Sequence, residues 1–261
     1  MHASLAVAHT YDRYLQTAQP ARPTLAEHYH RSQATSLFTN LLKSPLKPTS
    51  LDPTWATAAA LAILTFATPD AESPEQAWPM RSSDASDFDW LQISKGKMCL
   101  WHVVDPLREG SVFRIMAPTF AEMFAPLPGC GRRGMPAGLA ALCGIDEDPT
   151  RGTNAYFEAA HGVASISALA DEEVGTGRVW LFIRSVRGRF EGFLRRRDPV
   201  ALVLLYLWYN KASRGLWWVE MRARVACPAI CMYLRLHHGE RQDVLAFLAR
   251  GAFANMSMGS E

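Results

Sequence analysis

Residues 198–236 read DPVALVLLYLWYNKASRGLWWVEMRARVACPAICMYLRL, and this pattern decides the fold class. Asp198 followed by Pro199 is a helix start. An N-cap carboxylate accepts from the open N–H groups of the first turn, and proline is tolerated where its missing N–H would be unsatisfied anyway. Val200 to Tyr209 is apolar on all sides, which specifies a buried helix, and Lys211 with Gly215 closes it. A second helix is expected from about Trp217 to His237. Pro228 should kink or interrupt it near Arg224, because its nitrogen cannot donate and its ring clashes one turn back. A kink beside Trp217, Trp218 and Met221 opens space for a ligand. The apolar runs Ala58 to Ala67 and Val200 to Tyr209 are about half the roughly 20 residues of a membrane span, so both are core helices.

The flanking sequence is helical as well. Thr24 and Glu27 spell a capping box, and Ala34, Leu37, Phe38, Leu41 and Leu42 recur at helical spacing until Lys43 and Pro45. Asp52 as N-cap and Pro53 at the first position open a helix through Trp55, Leu61, Leu64 and Phe66 that stops before Pro69. Asp87 or Asp89 caps another, carrying Trp90, Ile93, Leu100, Trp101 and Val104, with Gly96 inside it and Asp105 and Pro106 at its end. Residues 69–86 and 118–149 read as irregular, the second with room for short turns such as Phe120 to Phe124 and Leu139 to Cys143. Periodicity then marks one helix over Tyr156, Phe157, Ala160, Val163 and Ala164, and another over Val179, Ile183, Val186, Phe190 and Phe193. Val244, Leu245, Phe247 and Leu248 close the series. No segment alternates with period two, so the expectation is all-α: a single irregular multi-helix domain over residues 1–261 that encloses an apolar pocket.

Composition narrows the class. Of 261 residues, 49% are hydrophobic and eight are Trp, enough for a substantial core without staples. Lys and Arg total 27 against 25 Asp and Glu, a net charge of +2 that points neither to disorder nor to direct nucleic-acid binding. Cys99, Cys130, Cys143, Cys227 and Cys231 are odd in number and irregular in spacing, which argues for a reducing, intracellular setting, cytoplasm or nucleus. The first residues lack a cationic lead, and His9, Asp12 and Arg13 interrupt their apolar run, so no secretory or transit segment is expected.

Several motifs invite chemistry and are better read otherwise. Gly129, Gly131 and Gly134 form G-x-G-x-x-G around Arg132 and Arg133, but Pro126, Pro128 and Pro136 surround it where a dinucleotide site needs a strand and a helix. Cys227 and Cys231 with His237 and His238 match no recognised zinc spacing, so no metal is expected, and the thiols read as small buried hydrophobes. His102 and Asp105 could serve as an oriented general base, though a histidine near a helix end more often caps or packs. His28 and His30 read as structural. Arg184, Arg187, Arg189, Arg195, Arg196 and Arg197 form a basic cluster interleaved with Glu191, a solvated or subunit-facing surface rather than a nucleic-acid patch. Asn255, Met256 and Ser257 match a glycosylation sequon that has no meaning inside the cell. The aromatic group of Leu205, Tyr206, Trp208, Tyr209, Trp217, Trp218 and Met221 fits either a packed core or the wall of an apolar cavity.

A set of motifs runs in order along the chain: MHASLAVAH at 1–9, EHYHRSQATSLF at 27–38 and DPTWATAAALAIL at 52–64. DWLQISKG at 89–96, RRDPVALVLLYLWY at 196–209 and WWVEMRARV at 217–225 follow. In this the chain resembles the C-terminal regulatory domain of fungal binuclear zinc-cluster transcription factors, especially the sterol-uptake-control type. The resemblance implies an all-helical fold, a pocket for a sterol-like ligand, a homodimer, and control of transcription by ligand occupancy. The chain lacks a Cys-x2-Cys-x6-Cys array and so is not itself the DNA reader.

The expected ligand-binding residues are therefore Trp90, Leu205, Tyr206, Tyr209, Trp217, Trp218 and Met221, with no cofactor. The alternative is a stand-alone relative acting as a terpenoid or polyketide cyclase or isomerase. Its catalytic candidates are His102, Asp105, Tyr206 and Tyr209.

Overall fold

A computed structural model describes residues 1–16, 22–69 and 71–248. Among them helices are the regular elements, and the sole β feature is an isolated bridge between Cys130 and Thr150. The helices are α1 (His2–Gln16), α2 (Leu25–Leu41), α3 (Leu51–Ala67), α4 (Asp89–Cys99), α5 (Trp101–Val104), α6 (Ala117–Met123) and α7 (Ala137–Cys143). They continue with α8 (Phe157–Ser167), α9 (Thr176–Ser185), α10 (Gly188–Arg195), α11 (Pro199–Ala212), α12 (Trp217–His237) and α13 (Gln242–Leu245). The all-α expectation holds. No helix is long and apolar enough to cross a membrane among the described residues. The sequon Asn255 to Ser257 lies outside them.

The chain divides into two compact units that interleave in sequence: Met1–Ser73, Asp84–Pro118 and Trp217–Val225 form the first, and Pro74–Ser83, Thr119–Leu216 and Ala226–Glu261 the second. In the first unit, α1 packs on α2 and α3 through Ala3, Ala6, Thr10 and Arg13. That buried face is small and polar, so it left little apolar periodicity to find. The capping box of α2 forms as expected: Glu27 N donates to Thr24 Oγ1 at 3.2 Å and Thr24 N to Glu27 Oε1 at 3.1 Å. Glu27 also takes Arg13 and Thr10, at 2.8 and 2.9 Å, which makes one carboxylate both cap and inter-helix tie. Of the apolar series only Ala34 is buried, with Glu27 the other buried residue of α2, while Leu37 is 57% exposed.

Asp52 is not the N-cap of α3. A turn at Pro48–Ser50 leads into the helix at Leu51, two residues before the expected Pro53, and the Asp52 carboxylate instead accepts from Arg108 (2.7 Å), Ser111 (2.8 Å) and the Val112 N–H (3.0 Å). The expected helix over residues 87–104 is split in two. A turn at Ala85–Phe88, capped by Asp84, precedes α4, and α5 ends at Asp105 in a left-handed conformation at φ 43°.

In the second unit, α11 is the buried axis, and Val200 to Tyr209 all lie inside. Asp198 caps it through Ala201 N at 2.9 Å and also accepts the Tyr156 hydroxyl at 3.0 Å, tying the helix start to α8. α8 and α9 touch at Gly162, where a Cβ would stand 2.8 Å from the Phe182 Cα. The apolar series from Val179 to Phe193 belongs to two helices, α9 and α10. The chain turns between them at Gly188 with φ 54°, a conformation glycine adopts without strain. α12 continues unbroken through Pro228.

Candidate functional site

The aromatic candidates gather around two centres, one in each unit. In the first unit, Phe66 of α3 meets Trp90 and Trp218 edge-on, with centroids 5.0 and 4.9 Å away. Edge-to-face contact sets the positive ring edge on the negative face of its neighbour. Arg222 completes this centre. Its guanidinium lies 5.3 Å over the Phe66 ring and donates to the carbonyls of Phe66 (2.7 Å), Thr65 (3.0 Å) and Thr68 (3.3 Å). Those are the open acceptors at the C-terminal end of α3, where a cation also complements the helix dipole. Met221 is buried in the same unit.

Trp217 serves other partners. Successive helical residues point about 100° apart, and Trp217 meets Tyr11 at 5.2 Å and Tyr14 at 5.9 Å on α1. The Tyr14 hydroxyl donates to Glu220 Oε2 at 2.7 Å, Glu220 pairs with Arg224 at 2.8 Å, and Arg224 lies 5.0 Å over the Tyr14 ring. The hydrogen bond to Glu220, then burial, holds the Tyr14 hydroxyl above the usual phenol range. The Trp217–Trp218 pair is thus divided between an inner apolar centre and a half-exposed polar one.

In the second unit, Leu205, Tyr206 and Tyr209 are all buried on α11. Tyr209 packs on Trp208 at 5.1 Å. Trp208 stacks on Phe182 at 5.1 Å and donates from Nε1 to the Val179 carbonyl at 3.1 Å. Tyr206 differs from both, for its hydroxyl lies near the thiols of Cys231 and Cys227. Burial foremost, then the two sulfurs, push it up to about 12. Burial likewise pushes both thiols up, and their mutual proximity adds to this at Cys227. Tyr206 is therefore a neutral hydroxyl with weakly polar company in apolar surroundings.

The remaining candidates fall apart from these centres. His102 and Asp105 are both exposed, and the Asp105 carboxylate accepts from Leu107 N at 3.3 Å. No hydrogen bond joins the two among the described residues. The glycine loop is pinned from behind: the buried His161 Nε2 sits 3.0 Å from the Gly131 carbonyl, and Arg132 pairs with Glu147. The basic cluster disperses. Arg184 donates to the carbonyls of Met123 and Ala125, Arg187 pairs with Glu158, Arg195 with Glu191, and Arg197 donates to the Arg81 carbonyl. His237 and His238 lie against Tyr233 rather than with the cysteines. No group of three or more His, Cys, Asp or Glu side chains suited to a metal ion occurs among the described residues.

Two groupings escaped the sequence reading. His2 Nδ1 lies 2.8 Å from His30 Nδ1, and His9 stacks on His30 at 5.7 Å; His2 and His9, two turns apart on one face of α1, were the available signal. Tyr156, Asp198 and Cys143 form the other, with the Cys143 thiol pushed up to about 12 by burial and by Asp198. Compared with protein-family models, with curated proteins and with solved structures, the chain shows no match.

Proposed function

We propose that this chain is a regulatory domain that binds an apolar polycyclic molecule, sterol- or terpenoid-like, and that its occupancy controls transcription. Tyr206 carries the reading. It offers a buried, neutral hydroxyl on a helix stretch, Val200 to Tyr209, whose other buried side chains are Val, Ala, Leu, Trp and Tyr, which suits a ligand whose main polar group is a single hydroxyl or ketone. Leu205 and Tyr209, buried on the same helix, supply further contact area. The likeness to fungal zinc-cluster regulators in motif order adds the transcriptional role, a nuclear or cytoplasmic setting and a homodimer. The exposed Leu25, Tyr29, Leu37 and Leu41 on α2 support self-association.

Binding is favoured over catalysis by where the candidate acids and bases stand. His102 and Asp105 stand exposed and unlinked, and Tyr206 is held protonated well above neutral pH. Titration of the purified chain with a fluorescent sterol, read by energy transfer from tryptophan, should saturate. Tyr206→Phe, which keeps the ring and removes the hydroxyl, should weaken binding about 5–10-fold, the worth of one hydrogen bond. Linear, non-saturating transfer contradicts the proposal, and unchanged affinity in Tyr206→Phe removes the hydroxyl from the site.

A further inference from the structure

Cys227 and Cys231 lie one turn apart on α12, so their Cβ atoms are about 5–6 Å from each other on one helix face. Both residues are partly exposed, whereas Cys143 is buried, and Cys99 and Cys130 stand singly at the surface. Pro228 follows Cys227 directly and gives no backbone hydrogen bond to the preceding turn. The Tyr206 hydroxyl stands near both sulfurs.

The surroundings select the chemistry. Burial keeps both thiols protonated, and no further Cys, His or carboxylate completes a set of three ligands among the described residues. A cation that needs several thiolates would have to bury uncompensated charge there. A centre that makes two neutral covalent bonds to sulfur would not.

We propose that Cys227 and Cys231 form a dithiol site for a neutral, thiophilic trivalent centre with exchangeable oxygen, the class typified by organic arsenic(III) oxides. With phenylarsine oxide, two As–S bonds form and two S–H bonds and the As–O bond break. The oxygen leaves with both thiol protons as one water, and arsenic remains trivalent throughout. Ring closure through the second sulfur raises affinity over a single thiol by an effective-concentration factor of about 100 or more. This site does not depend on the sterol reading.

The test is phenylarsine oxide added to the whole folded chain, followed by intact-mass measurement and peptide mapping. The expected result is one phenylarsenic group bridging Cys227 and Cys231, with loss of two hydrogens, retained in excess monothiol and removed by a dithiol. Cys227→Ala and Cys231→Ala should each lose the monothiol-resistant adduct, with affinity down about 100-fold, while Cys99→Ala and Cys130→Ala keep it. Mapping on the unsubstituted chain, with its circular dichroism unchanged, locates the bridge even if an alanine variant fails to fold. A bridge mapped elsewhere, or adducts all stripped by monothiol, overturns the proposal, and so does the absence of any adduct.

Discussion

Glu27 shows how much one residue carries. Its carboxylate caps α2 through Thr24 and reaches across to Arg13 and Thr10 on α1. Burial alone pushes its pKa up, but the Arg13 hydrogen bond, the Thr24 N–H, the Arg13 charge and the Thr10 hydroxyl outweigh this and hold it below the ordinary glutamate value. The sign of the linkage follows. A depressed folded pKa contributes stability that is complete above the unfolded value of about 4.3 and is lost as pH falls through the folded value. Urea unfolding followed from pH 6 downward should therefore lose stability below about pH 4.3 in the natural chain, more steeply than in Glu27→Gln. At neutral pH that variant should be less stable by on the order of 3 kcal/mol, because it removes the carboxylate from a buried Arg13. Parallel acid limbs in the two proteins would contradict this account of the residue.

Among the elements, those whose signals are local were legible. Thr24 with Glu27, and Asp198 with Pro199, announce helix starts because cap and first turn lie within four residues. Asp52 carried the same signal and was misread, since its partners Arg108, Ser111 and Val112 lie more than fifty residues away in sequence. The break between α9 and α10 was hidden because apolar spacing continues across it, and only the positive φ of Gly188 marks the turn. The pairing of α8 with α9 rests on Gly162, which lets the Phe182 backbone approach. Gly162→Ala should cost about 1–3 kcal/mol, since its methyl would meet backbone rather than a mobile side chain. Chemical denaturation checks this, and a variant as stable as the parent would show that α8 and α9 can separate freely.

At the scale of the molecule, the all-helical class was readable from the absence of period two and from the number of helix starts. The division into two interleaved units was not, because it depends on which distant segments meet rather than on any local pattern. The aromatic set was found as residues but not as an arrangement. Trp90, Trp217, Trp218 and Met221 belong to one unit, and Leu205, Tyr206 and Tyr209 to the other. Adjacency of Trp217 and Trp218 in sequence suggested a common role, while helical geometry sends one to Tyr11 and Tyr14 and the other to Phe66.

The central claim, that the chain binds a sterol- or terpenoid-like molecule, is tested most directly by thermal unfolding at increasing concentrations of such a ligand. A ligand specific for the folded chain adds RT ln(1 + [L]/Kd), about 2.7 kcal/mol at one hundred times Kd. For a chain of this size that raises Tm by roughly 5–10 °C. The account predicts that rise, logarithmic in ligand concentration and reduced in Tyr206→Phe. A Tm that stays constant across sterols and terpenoids up to their solubility limits would contradict it.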